Sequence, residues 1–271
     1  SKMGCGSGST AIRASWRSWV TEPRVLYRDA HWLIVHKPPG LPTTSPAGGR
    51  ACLHDWARRQ LHDHAYVHPT SRLDSPVSGV VTFALSKAAN AHLLHVRAEA
   101  KHSRVYLGIT LSDRIRSACD WSWPISIDPN HPKTRIAGPG KGERAAHTRC
   151  DAVIVAPHAS LLRLLPRTGR THQLRVHAAR AGAPLFGDTV YGAERRFALP
   201  SGRVVAAPRV MLHCAQVSFP SMDEGTMQTF AAAPDPDFVQ IWRLLGGEED
   251  ALQLSAASAA LASGPSSLDD F

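Results

Sequence analysis

Short apolar runs of strand length, each closed by a turn signal, recur along the chain and limit what it can fold into. Residues 32–36 form one such run, halted by Pro38-Pro39-Gly40. Residues 80–85 and 152–156 are of the same kind. None approaches the roughly 18 apolar residues of a membrane span. The pattern predicts further strands at residues 79–85, 104–111, 147–156 and 160–165. Helical spacing appears at residues 51–62, 87–100, 171–182 and 235–245, with Ser86 placed as an N-cap and Gly182 as a C-terminal stop. Residues 125–142 are broken by Pro and Gly into loops. Strands and helices interleave without a regular βαβ period, so the expected class is α+β, built on a central mixed, largely antiparallel sheet with a cleft across it. No glycine-rich phosphate loop follows a strand, and no cofactor is expected.

Charge narrows the partner. The chain has 271 residues and a formal net charge of +9, with 25 Arg against 6 Lys. Residues 22–247 hold 28 basic and 17 acidic residues, a net of +11. An Arg-rich basic body suits a polyanion, because a guanidinium meets phosphate in a two-pronged geometry. Arg in place of Lys from coding bias is the bland alternative. Residues 1–21 open Gly/Ser-rich and read as a flexible arm. Residues 248–271 turn to Ala, Ser and acid and read as a flexible acidic tail. The expected catalytic domain is therefore 22–247. Five cysteines without a C-x-x-C pair fit reduced thiols in a cytoplasmic protein. With no apolar leader or span, no membrane partner is expected, and the chain is expected to act as a monomer.

Two segments hold the chemistry. Ser71-Arg72-Leu73-Asp74-Ser75-Pro76-Val77-Ser78-Gly79 sets one acid at a loop tip before a buried strand. Asp74 there can be a nucleophile, a general base or an Asx-turn residue. Arg167-Thr168-Gly169-Arg170-Thr171-His172-Gln173-Leu174-Arg175-Val176-His177 runs through a Gly turn into a helix. Cationic and His side chains at a helix start make an anion site or a solvated basic helix. His172 and His177 lack the i,i+4 spacing of a helical zinc pair, and no metal is expected.

Together the segments resemble the RluA family of pseudouridine synthases. Its hallmark H-R-L-D-x-x-T-S-G is met at Arg72, Leu73, Asp74, Ser78 and Gly79, with Ser71 and Val77 as departures. Its R-T-G-R-T-H-Q-[IL]-R-x-H is met in full by residues 167–177. Gly187-Asp188-Thr189-Val190-Tyr191-Gly192 matches G-D-x-x-Y-G, and Ile34-Val35-His36-Lys37-Pro38-Pro39-Gly40 matches I-V-x-K-P-x-G. The family's K-x-Y stands here as Arg104-Val105-Tyr106.

The resemblance implies isomerisation of uridine to pseudouridine in structured RNA, a tRNA or rRNA stem-loop. Asp74 is then the nucleophile, Arg175 its charge partner, and Tyr106 the residue that stacks on the base. Arg72 replaces the flipped base, and Leu174 forms an apolar floor. Arg167, Arg170 and His172 contact RNA backbone or frame the pocket. Many relatives carry a separate N-terminal RNA-binding domain, for which 21 residues are too few, so the catalytic domain is expected to grip RNA itself. A second reading is an RNA-binding or ribosome-assembly protein on this scaffold with weakened catalysis. A hydrolase needs a second carboxylate as general acid, and neither hallmark segment holds one.

Overall fold

A computed structural model describes residues 22–45, 49, 51–61 and 66–252. The chain opens with β1 (Arg24–Arg28), β2 (Trp32–Lys37), α1 (Leu53–Gln60), β3 (His68–Pro69) and β4 (Ser78–Ala84). Next come α2 (Lys87–Ala98), β5 (Ser103–Thr110), β6 (Cys119–Trp121), β7 (Ile125–Ile127) and β8 (Arg135–Ala137). β9 (Thr148–Ala156), β10 (Ala159–Pro166) and α3 (Gln173–Arg180) follow. The last elements are β11 (Arg196–Ala198), β12 (Val204–Ala206), β13 (Leu212–Pro220), β14 (Met227–Ala231) and α4 (Pro236–Leu244).

One large sheet orders its strands β1-β2-β4-β13-β5-β10-β9-β6, with β3 added to β4 and β14 to β13. Every described pairing is antiparallel except β4 with β13, so the sheet is mixed and largely antiparallel within an α+β fold. That parallel join requires Gly79. Its φ is +116°, and a Cβ there would lie 2.1 Å from the Cys214 carbonyl oxygen.

Alternation along the central strands feeds two cores on opposite faces. Tyr106, Leu162, Leu164, Leu212 and Cys214 join one core with α1, α2 and Leu174 of α3. Leu107, Ile109, Leu161, Met211 and Ala215 join the other with Phe238, Ile241 and Trp242 of α4. α2 starts where Ser86 Oγ accepts the Ala89 N–H at 3.0 Å.

Several boundaries differ from the sequence reading. Residues 125–142 hold a hairpin, β7 on β8, whose Ile125 packs with Val176 of α3. β13 escaped notice because both its faces are buried and it carries His213, Gln216 and Ser218, which blur any apolar alternation. α3 begins at Gln173 rather than Thr171, because Gln173 Oε1 accepts the Arg170 N–H and the Thr168 hydroxyl. The tail boundary at 248 also moves: the Trp242 indole donates to Glu248 O at 2.8 Å, Arg243 pairs with Glu249, and Leu252 is buried in the α4 core. The expected arm at 1–21 and the remaining tail at 253–271 lie outside the described residues.

Candidate active site

Asp74 sits in the loop that enters β4, and that loop is pinned from several sides. Thr43 Oγ1 donates to Leu73 O at 2.9 Å and accepts the Leu73 N–H at 3.0 Å. Gly40 N–H donates to Ser75 O at 2.7 Å, and Ser75 Oγ returns a bond to Gly40 O at 2.9 Å. Lys37, fully buried, donates to the carbonyls of Pro38, Leu41 and Ser75 at 2.9, 2.7 and 3.1 Å. Burial, and then the nearby Arg209, pull its pKa down to about 7. The Pro-Pro-Gly turn and the Asp74 loop are thus one braced unit, with Leu73 and Val77 pointing into the core.

From the other side α3 delivers Arg175. Its Nη1 donates to Asp74 Oδ2 at 3.0 Å. The rest of the guanidinium forks onto Asp188, with Nε and Nη2 each 2.7 Å from a carboxylate oxygen. Burial alone works against the Arg175 charge, but the bonds to Asp188 and then Asp74 outweigh it and hold the pKa above the usual range. The Asp188 side chain is 0% exposed, whereas that of Asp74 is 25% exposed. One carboxylate therefore fixes the arginine, and the other is partly exposed.

Tyr191 packs beneath Arg175, with the guanidinium 5.0 Å from its ring centroid. Its hydroxyl lies 2.6 Å from His172 Nδ1. His172 Nε2 is 3.7 Å from Asp74 Oδ2. Burial pulls the His172 pKa below its ordinary value, with Asp74 opposing, so the ring is neutral near pH 7. Tyr106, on β5, is nearly buried. Burial, and then the Cys214 thiol opposite it, push its phenol above the usual range, so it remains an O–H group.

Leu174 is buried in the same core as Tyr106. Arg72 is exposed at the loop tip, two residues from Asp74. Arg167 and Arg170 are exposed on the turn before α3, where Arg170 Nε donates to Ala145 O at 2.9 Å. Among the described residues no bond joins Arg167, Arg170 or Arg72 to Asp74. Arg104 reaches the same turn, donating to Thr168 O at 2.9 Å. His177 turns away from the cleft and ties α3 to Thr148 and Trp123.

A cavity of about 350 Å³ opens beside this constellation, lined by Ser75, Pro76, Arg175, Asp188, Val190 and Arg195. A second of similar size, near Pro157 and Arg243, has no acid in its lining. Asp188 and Tyr191 were legible only as the match to G-D-x-x-Y-G, with no role attached. An Asp between two conformationally special positions, close to an aromatic, was the available signal. Among the described residues, one group could offer metal ligands: His36, His213 and Asp235, whose donor atoms lie within 4.8 Å of one another. Arg209 already places a positive charge 3.6 Å from Asp235.

Comparison with known proteins identifies the enzyme class. The family described as RNA pseudouridylate synthase matches residues 31–180. The chain is 31% identical over 214 residues to the dual-specificity RNA pseudouridine synthase RluA of Haemophilus influenzae, covering 78% of this chain and 93% of that protein. It is 31% identical over 223 residues to RluA of Escherichia coli K12, covering 78% and 93%. It is 31% identical over 216 residues to the RNA pseudouridine synthase YhcT of Bacillus subtilis, covering 76% and 72%. Among solved structures, human RNA pseudouridylate synthase domain containing 1 shares the fold at a TM-score of 0.65 and 24% identity, covering 90% of this chain and 96% of that one. Human RNA pseudouridylate synthase domain containing 4 does so at 0.63 and 22%, covering 82% and 92%. The chain belongs to the RNA pseudouridylate synthase family and is an isomerase acting on uridine in RNA.

Proposed function

We propose that this enzyme converts uridine to pseudouridine in a tRNA or rRNA stem-loop, with Asp74 as the nucleophile. One observation carries the assignment of Asp74. Its carboxylate is the partly exposed end of a buried acid–arginine network, bonded through Oδ2 to an arginine that Asp188 fixes in place. A nucleophilic carboxylate is oriented by a cation bonded to one of its oxygens. Arg175 supplies that cation without blocking access.

The isomerisation breaks the bond between uracil N1 and C1′ of the ribose, turns the base and joins C5 to C1′. The proton leaves C5 and N1 gains one, so atoms and electrons balance without oxidant or water. Asp74 forms the covalent intermediate that divides this exchange into two steps. Tyr106, protonated and nearly buried, stacks on the base and offers its O–H within the pocket. Leu174 closes the pocket below. The target base has to leave its stack to reach Asp74, and Arg72, exposed on the same loop, fills the vacated place. Arg167 and Arg170 line the approach for backbone phosphates. Asp188 gives both oxygens to Arg175 and is fully buried, so it is no general acid, which removes the support for a glycoside hydrolase.

The net charge of +11 over residues 22–247 supports RNA binding by the catalytic domain itself. We place the enzyme in the cytoplasm as a monomer; among the described residues no helix is long and apolar enough to cross a membrane. Site-resolved pseudouridine mapping of tRNA and rRNA, from cells with and without the protein, tests the target. A uridine that loses modification in one of these RNAs is the expected result. Unchanged maps in both RNA classes would refute the target assignment.

A further inference from the structure

The hydroxyl of Tyr191 has two hydrogen-bonding neighbours. The backbone N–H of Arg135, on β8, donates to the Tyr191 oxygen at 3.1 Å. The same oxygen lies 2.6 Å from His172 Nδ1. A hydroxyl that accepts from Arg135 is free to donate to Nδ1. A neutral imidazole that accepts at Nδ1 carries its proton on Nε2. Nε2 is the ring nitrogen that faces Asp74 Oδ2.

The backbone is arranged for this aim. His172 has a φ of +58°, one of two non-glycine residues with positive φ among those described. A left-handed residue is costly and is kept where the surroundings hold it, often at working sites. Here it turns the His172 ring toward the cleft one residue before α3 begins, while Arg175 on that helix approaches the same oxygen. Both groups converge on Oδ2. No hydrogen bond from a described residue reaches Oδ1.

We propose that His172 is a positioning residue for the nucleophile, aimed by the Tyr191 hydroxyl, and that Oδ1 of Asp74 is the attacking oxygen. The inference rests on the reading of Asp74 as nucleophile. The present 3.7 Å separation is longer than a hydrogen bond. It closes when RNA fills the cleft, as catalytic bonds commonly do on forming the reactive complex. With Oδ2 held by Arg175 and His172, the carboxylate plane is fixed and Oδ1 is turned to the substrate.

The test has a spectroscopic arm and a kinetic arm. In ¹⁵N-histidine-labelled wild-type protein, His172 should show the Nε2–H tautomer, and Tyr191→Phe should yield a mixture of tautomers. His172→Leu should lower the single-turnover rate at saturating RNA by about 10- to 100-fold, the factor a hydrogen bond to a charged group is worth. His172→Gln, whose amide N–H reaches the place of Nε2, should restore most of that loss. RNA affinity should hold in all three variants. An Nδ1–H tautomer in the wild type would overturn the proposal, whether or not any variant folds. So would a His172→Leu variant that weakens RNA binding but turns over normally at saturation. A wild-type protein that forms no pseudouridine on any RNA would instead overturn the reading on which the proposal rests.

Discussion

Two buried arginines in this molecule are built alike and face different surroundings. Arg175 forks onto Asp188, and Arg209 forks onto Asp237 at 2.7 and 2.9 Å. Each has a second carboxylate nearby, Asp74 at 3.0 Å and Asp235 at 3.6 Å. Beyond that the two diverge. The Asp74 side chain is 25% exposed, and that of Asp235 is 5% exposed. Asp235 stands at the N-terminus of α4, with His36 Nε2 at 3.4 Å, and His36 holds its carboxyl well below the usual range although burial opposes this. Arg209 spends its remaining N–H groups on the carbonyls of Pro76, Val210 and Leu212. The same acid–arginine–acid device thus leaves one acid partly exposed at Asp74 and encloses both acids around Arg209. The enclosed one also supports the open one, because Pro76 belongs to the Asp74 loop.

The sharpest way to break this comparison is to remove each arginine. Arg175→Met leaves Asp188 buried without its paired cation, and Arg209→Met does the same to Asp237. Each should cost about 3–5 kcal/mol of stability. Their kinetics should separate. Arg175→Met should also lose most single-turnover activity, since the group that holds Asp74 Oδ2 in place is gone. Arg209→Met, assayed as folded protein at low temperature, should retain far more. Equal kinetic losses would mean that the two knots do not divide their roles.

Next in size is Arg72→Ala. Unstacking a paired base costs a few kcal/mol, and least for one already unpaired. The variant should fail on a folded stem-loop and recover much of its rate on RNA whose target uridine is looped out. Equal impairment on both RNAs would assign Arg72 to chemistry or to general phosphate contact.

The smallest effect concerns Lys37, which lies between the knots. Arg209 depresses its pKa, whereas Asp74 and Asp235 raise it, and with burial the result is about 7 against an ordinary 10.5. Between those values the unfolded chain binds the proton and the folded chain does not, so stability rises with pH across this window. Wild type should gain thermal stability relative to Lys37→Met between pH 7 and 10. No gain would show that the three carbonyls around Nζ keep it an ammonium throughout.

Legibility in the sequence followed the same division. The strand entered at Gly79, the helix capped by Ser86 and the α4 segment could be read from local pattern, because each buries one apolar set and carries its own stop signal. β13 could not, since its buried His213, Gln216 and Ser218 interrupt the apolar pattern, and His213 finds its partner 135 residues away in Ser78, at 2.8 Å. Asp74 by itself was ambiguous between a loop residue and a nucleophile. The motif around it favours the nucleophile by resemblance, not by physics. Asp188 carried no readable role, because its partner becomes visible only when α3 places Arg175 against it. Arg209 and Asp237 showed no motif at all, and a buried ion pair between them emerges only from the packing of α4.

The central claim is that Asp74 performs covalent chemistry that moves C5 of uracil onto C1′. The direct measurement is tritium release from RNA labelled at uridine C5, followed under single-turnover conditions for wild type and Asp74→Asn. The wild type should release tritium to water as pseudouridine accumulates. Asp74→Asn should bind the same RNA and keep the wild-type melting temperature, yet release none. Substantial release by the Asn variant, or none by the wild type on any tRNA or rRNA substrate, would contradict the assignment of Asp74 as the nucleophile.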